Sequence, residues 1–355
     1  MLTSVAVGVF ATTGPAYASE VCPLALRGYL TCFVNLCWAI GQLIAAGVLY
    51  GALDLSGNWS WRVCYAVQWA WPLPLFIAIM FAPESPWWLV RNGRMDDAYV
   101  AMAKLDNKGE ESHRQTLAMI SHTLKFEAEV ESGSSYFDLF RGVDRRRTEI
   151  VCLTFAGQVL SGSTFAYGPT YFFQQAGIST NNTYQIAVGG TGIAFCGTVI
   201  SWFLLSRFGR RTLYLHGMIL LNLFLLIIGI LGATPQSGAT KWAQAAMCLV
   251  WLFTYSTTVG PICYTIISET SSMRLRAKSV CLSRNVYNIT QIIANVIEPY
   301  LINPTEGNLK GKTAFFWFAT SFCAAVWAYF RLPECRGRTY EVGWPLPMAH
   351  LERAS

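Results

Sequence analysis

An all-α polytopic membrane protein is the fold class this sequence predicts, and three observations predict it. The first is composition. Hydrophobic residues make up 53% of the 355 and charged residues only 13%, where a soluble domain carries about 25% charged residues. The second is patterning. Apolar runs of about 20 residues, the length that crosses a bilayer as a helix, recur over 1–17, 29–52, 61–82, 149–173, 185–206, 211–232, 241–267, 279–303 and 313–331. The third is an internal repeat. Ser19-Glu20 and, after five residues, Leu26-Arg27-Gly28 return as Ser268-Glu269 and Leu275-Arg276-Ala277. Gly-Pro precedes each copy (Gly14-Pro15, Gly260-Pro261), and Pro-Glu closes the apolar pair after it (Pro83-Glu84, Pro333-Glu334). Both sets of markers are spaced by about 250 residues, so the chain reads as two similar halves.

Residues 1–17 run into Ala16-Tyr17-Ala18, which suits a signal-peptide cleavage site, but no basic n-region precedes it. The repeat accounts for the stretch as the end of a membrane segment. A short loop, Asp54 to Arg62, joins the second and third segments, and the third is rich in aromatic rings that favour packing and the interface. Residues 84–148 form the one long polar stretch, with helical periodicity over Met95–Leu105 and Glu111–Val130. Its basic end, Arg145-Arg146-Arg147, anchors the next segment among headgroups. The six segments that follow contain the tight basic turn Ser206-Arg207-Phe208-Gly209-Arg210-Arg211, which Gly209 permits. The expected division is 1–83, an incomplete helical half holding its last three helices; 84–148, a cytoplasmic helical linker; 149–332, a six-helix half; and 333–355, a cytoplasmic tail. The repeat offset places the start of the first half about 100 residues before Met1, room for three helices.

The formal charge of +6 raises the question of nucleic acid or an anionic surface as a partner. With a cytoplasmic C-terminus and alternating segments, all of the 26 Lys and Arg except Arg62, Lys241, Lys310 and Lys312 fall on the cytoplasmic side. That is the positive-inside distribution of a chain whose partner is the lipid bilayer, not nucleic acid. The acceptor patterns Asn58-Trp59-Ser60 and Asn181-Asn182-Thr183 then face outward, and Asn288-Ile289-Thr290, inside an apolar run, reads as a chance match. Eleven Cys, mostly in apolar runs and without C-x-x-C, read as packing residues. Four His lack metal-ligand spacing, and no nucleophile–base pair stands at a membrane face, so no metal, cofactor or enzymatic activity is expected.

Several spaced motifs carry a family likeness. Pro83-Glu84-Ser85-Pro86-Trp87-Trp88-Leu89 resembles the PESPRWL motif of the sugar porter family of the major facilitator superfamily, with Trp87 in place of its Arg. Pro333-Glu334-Cys335-Arg336-Gly337-Arg338-Thr339 resembles the terminal PETKGRT, and Arg207 to Arg211 the R-x-G-R-R turn. Asn35-Leu36-Cys37-Trp38 with Gly41-Gln42-Leu43, Gln68-Trp69, and Thr170-Tyr171-Phe172-Phe173 resemble the fungal maltose or α-glucoside:proton symporters in particular. The resemblance implies a twelve-helix fold of which this chain holds about nine. It also implies a plasma-membrane location and alternating access to a sugar held between the two halves.

The resemblance and the chemistry of sugars select the same residue types. A sugar needs amides and hydroxyls that donate and accept, and an aromatic ring to lie against. Asn35 falls where the family has a sugar-contacting Gln. Gln158 opens a QQLSGIN-like stretch that runs on through Ser163 and Thr164, with Val159 replacing its second Gln and Thr164 its Asn. Tyr264 stands where the family has Trp, and Asn285 and Asn288 lie near the family's paired Asn. Each of these is read as a substrate contact; the alternative for each is a hydrogen bond between helices of the bundle.

Glu20, Arg27, Glu84, Arg207, Arg210, Arg211, Glu269, Arg276, Glu334 and Arg338 cluster at cytoplasmic helix ends. They are read as ion pairs that latch the halves and part as the inner gate opens; plain topological anchoring is the alternative. In the family a proton-coupling Asp sits in the first helix, which lies outside this chain, and Glu298 is the one obvious acidic residue within an apolar run. The function expected is sugar transport coupled to protons, with maltose or another α-glucoside as substrate and no obligate protein partner. The alternatives are a non-transporting sensor or an inactive truncated fragment of a sugar transporter.

Overall fold

The computed structural model describes residues 17, 20–21, 24–55, 57–105, 109–131, 135–167, 179–235, 237–271, 275–303 and 305–334, and among them there are helices and no strands. The chain divides into two compact units, one of residues 1–34 with 51–134 and the other of residues 35–50 with 135–355. Five helical stretches among the described residues are long and apolar enough to cross a membrane: Trp59–Phe81, Thr180–Arg207, Arg210–Ala233, Gly238–Ile267 and Lys310–Arg331.

Helix α1, Leu24–Gly51, contributes its first residues to the first unit and residues 35–50 to the second. The expected third segment is two helices, α2 (Trp59–Gln68) and α3 (Pro72–Phe81). Proline has no N–H to continue a helical ladder. The Trp69 and Ala70 N–H groups therefore close onto Ala66 and Val67, and the helix restarts at Pro72. Three helices follow over the stretch expected to be the linker: α4 (Pro86–Arg91), α5 (Met95–Leu105) and α6 (Glu110–Glu131). Ser85 caps α4 by accepting the Trp88 N–H, with Pro86 at the first helical position. Leu89, Val90, Ala98, Ala101, Leu117 and Ile120 close a small core between the three.

The second unit contains a 3-10 turn, Tyr136–Phe140, and α7, Gly142–Leu160, which starts earlier than the apolar run, in the polar stretch that holds Arg145-Arg146-Arg147. Helix α7 stops at Ser161-Gly162, where Gly162 takes a φ of 88° that suits glycine alone. The short α8, Ser163–Tyr167, follows. Then come α9 (Thr180–Arg207), α10 (Arg210–Ala233), α11 (Gly238–Thr257), α12 (Val259–Thr270), α13 (Arg276–Ile302) and α14 (Thr313–Arg331). The expected segment 241–267 is thus broken at Thr258 (φ −119°, ψ −86°). Pro261 explains the break, since its ring would meet the carbonyl of Thr257 in a continuous helix.

Helix α10 centres the core of this unit. Tyr214, Met218, Leu221, Leu225 and Ile228 are fully or almost fully buried and pack with Trp251 and Trp317. Glycines let its backbone come close to two neighbours. A side chain at Gly217 would overlap Thr258 at the helix break, and one at Gly232 would overlap the backbone of Gly311.

Candidate functional site

A cavity of about 680 Å³ lies within the second unit, inside the range of about 300–1,000 Å³ usual for small-molecule sites. Its wall is built where helices break. The α7 break supplies Gln158, Ser163 and Thr164, and the α11–α12 break supplies Ser256, Gly260 and Tyr264. Helix α13 contributes Arg284, Tyr287, Gln291, Asn295 and Glu298, and residues 35–50 of α1 contribute Trp38 and Gln42. A broken helix in a membrane frees backbone groups that must find partners within the protein or in a cavity. Here the partners are visible. The Leu160 carbonyl, freed at the end of α7, accepts the Thr320 hydroxyl at 2.9 Å. The Gly260 carbonyl accepts Gln158 Nε2 at 2.9 Å, which ties one break to the other.

Gln158, Ser163, Thr164 and Tyr264 therefore stand together on one wall, with Gln158 4% and Ser163 7% exposed. Gln291 Nε2 donates to Thr164 Oγ1 at 3.2 Å and to Asn295 Oδ1 at 3.0 Å. Phe155 meets Tyr264 edge to face at 5.5 Å and lies 5.8 Å from Tyr287. The Arg284 guanidinium lies over Tyr287, 4.6 Å from its centroid.

Asn285 and Asn288 are not with them. Both are exposed, and neither lines the cavity. Each residue turns a helix by about 100°, and the cavity stripe of α13 runs through 284, 287, 291, 295 and 298, one step away from this pair. The carried-over motif places the amides off the cavity-lining face; the three-and-four spacing of polar and aromatic residues along α13 is the signal for the face that lines the cavity. Asn35 lies on α1, and its side chain is outside the described residues.

At the opposite chemical extreme is a charged joint at the ends of α10, α12 and α14. Arg210 holds Glu269 through Nη2 at 3.0 Å and Nε at 3.2 Å. Glu334 accepts the backbone N–H groups of Arg210 (2.8 Å) and Arg211 (3.5 Å), capping α10 where its helix dipole favours an anion. Arg211 Nη2 donates to the Tyr329 carbonyl at 2.8 Å. Burial raises the Glu269 carboxyl above the usual range, against the pull of Arg210. Arg207 is exposed, as is Glu84 in the first unit, where Glu20 is half-buried. The side chains of Arg27 and Arg276, and the whole of Arg338, lie outside the described residues, as does Thr170 to Phe173. One pairing has no motif: Glu149 binds Arg331 through both oxygens (2.6 and 3.0 Å) and accepts Trp327 Nε1 at 3.1 Å.

The helical arrangement matches a class, the major facilitator superfamily fold of membrane transporters. The proton:xylose symporter XylE bound to 6-bromo-6-deoxy-D-glucose superposes with a TM-score of 0.75 at 21% identity, covering 95% of this chain and 70% of that one. A partially occluded inward-open structure of the xylose transporter XylE from E. coli gives 0.73 at 20% identity, covering 94% and 70%. Within that class the chain belongs to the sugar (and other) transporter family, whose model matches residues 1–343. It is similar to a maltose permease of Saccharomyces cerevisiae, 38% identical over 340 residues, covering 94% of this chain and 55% of the relative. An alpha-glucosides permease of the same yeast is 38% identical over 341 residues, covering 94% and 56%. The chain thus spans about half the length of the curated relatives it matches. These relatives are permeases, not enzymes.

Proposed function

We propose that this protein moves a sugar, maltose or another α-glucoside, across the membrane by alternating access, in symport with protons. The observation that carries the reading is the cavity wall itself: amides and hydroxyls (Gln158, Ser163, Thr164, Gln291, Asn295) converge beside the ring of Tyr264 where two helices break. Such groups match a ring of hydroxyls with apolar faces, and a weak, millimolar site needs only about −4 kcal/mol. Gln158, Ser163, Thr164 and Tyr264 are substrate contacts in this reading, with Gln291 and Asn295 taking the place expected of Asn285 and Asn288; Asn35 joins them from α1. The Arg210–Glu269 pair and the Glu334 cap form part of a cytoplasmic latch that parts during the cycle, in which the other charged motif residues share. The protein sits in the plasma membrane with its C-terminus cytoplasmic, as the distribution of Lys and Arg supports.

The test is labelled-maltose uptake in yeast lacking its own maltose permeases. Uptake above the empty-vector control, abolished by a protonophore, is expected. Protein that reaches the membrane yet neither takes up nor binds maltose would sink the reading.

A further inference from the structure

Helix α13 presents one continuous stripe to the cavity, from Arg284 through Gln291 and Asn295 to Glu298. At about 1.5 Å per residue its ends are about 21 Å apart along the axis, far longer than one pyranose ring. The ends also differ in chemistry. At the first, Tyr264 and Tyr287, backed by the buried Phe155, make an aromatic floor beside Gln158 and Arg284. At the second, Glu298 is only 8% exposed. One of its carboxylate oxygens accepts the indole N–H of Trp317, itself 2% exposed; the other is buried and has no protein partner. Among the described residues no cation forms an ion pair with Glu298.

Such an arrangement is costly in an empty cavity. A buried carboxylate oxygen without a donor loses its hydration without compensation, and the bond to Trp317 holds the carboxylate at this place. A ligand that brings hydroxyl donors to this wall removes the cost. We propose that Glu298, positioned by Trp317, is the contact of a second sugar subsite: it receives the ring beyond the one at the Gln158–Tyr264 end and so selects a disaccharide over a monosaccharide. The inference rests on reading the cavity as a sugar site.

The test measures calorimetric binding of maltose and of methyl α-D-glucoside to the full chain in lipid nanodiscs. Glu298→Ala is expected to weaken maltose about tenfold or more, the loss of one charged hydrogen bond, while methyl α-D-glucoside binds unchanged. Glu298→Gln, which keeps an acceptor oxygen, falls between. Trp317→Phe weakens maltose in the native background and adds little to Glu298→Gln, as a positioning residue must. Equal loss of both sugars in Glu298→Ala, or loss of neither, overturns the proposal. If the alanine variant does not fold, the glutamine variant decides: an unchanged ratio of maltose to methyl α-D-glucoside affinity overturns it. A native chain that binds neither sugar sinks the reading of the cavity itself, and the subsite with it; maltose bound with an unshifted ratio sinks the subsite alone.

Discussion

Two stretches of this molecule look alike in sequence and behave oppositely in space. Trp59–Phe81 and Gly238–Ile267 are both long and apolar enough to cross a membrane, yet none of the apolar window of the first is buried and 72% of the second is. Both are also interrupted at proline, the first before Pro72 and the second before Pro261. In the first, the interruption lies among exposed rings, with Trp69 79% and Trp71 53% exposed, and it serves as a turn. In the second, every neighbour is involved: Thr258 Oγ1 donates to the Thr254 carbonyl at 2.6 Å, Gln158 reaches the Gly260 carbonyl, and Gly217 leaves room for Thr258. A helix break shapes a site only when burial forces its freed backbone groups onto specific partners.

That contrast can be broken experimentally. Filling the gap beside the buried break should have the largest effect: Gly217→Leu drives a side chain into Thr258 and is expected to cost about 3 kcal/mol, read as a lower midpoint of thermal unfolding in detergent. Gln158→Leu removes the side-chain bond to the Gly260 carbonyl that joins the two breaks and should cost about 1.5 kcal/mol, together with maltose binding. Retained binding at native strength would separate the joint from the site. Thr258→Val removes one hydroxyl bond at the break, an expected loss of about 1 kcal/mol in the same melt. Trp69→Ala at the exposed break should stay within about 0.5 kcal/mol; a loss as large as that of Thr258→Val would show the two breaks to be equivalent after all.

The same contrast explains what the sequence reveals. Apolar length and the motifs repeated about 250 residues apart were enough for a two-half membrane fold, because that depends on local composition; the family was legible only through the resemblance of its spaced motifs to those of sugar porters. Helix α5 lies on the stretch Met95–Leu105 that its periodicity marks. The site was legible in part. Gln158, Ser163, Thr164 and Tyr264 sit near the helix breaks that Gly162 and Pro261 announce, so motif and geometry coincide there. On α13 no glycine or proline precedes the polar face, and the residues that line the cavity lie one step, about 100°, round the helix from the expected amides. Glu149 and Arg331 meet across 182 residues, and Glu298 and Trp317 across two helices. Neither pairing has a local pattern from which to read it.

The bond between Gln158 and the Gly260 carbonyl has one more consequence. One of the two amide N–H groups of Gln158 is spent on the protein's own backbone. On the reading proposed above, a sugar oxygen that drew this N–H away would do so by exchange, and the two broken helices would lose the tie that joins them at that point. Occupancy and stiffness would then oppose each other, and the loaded cavity would be the looser one.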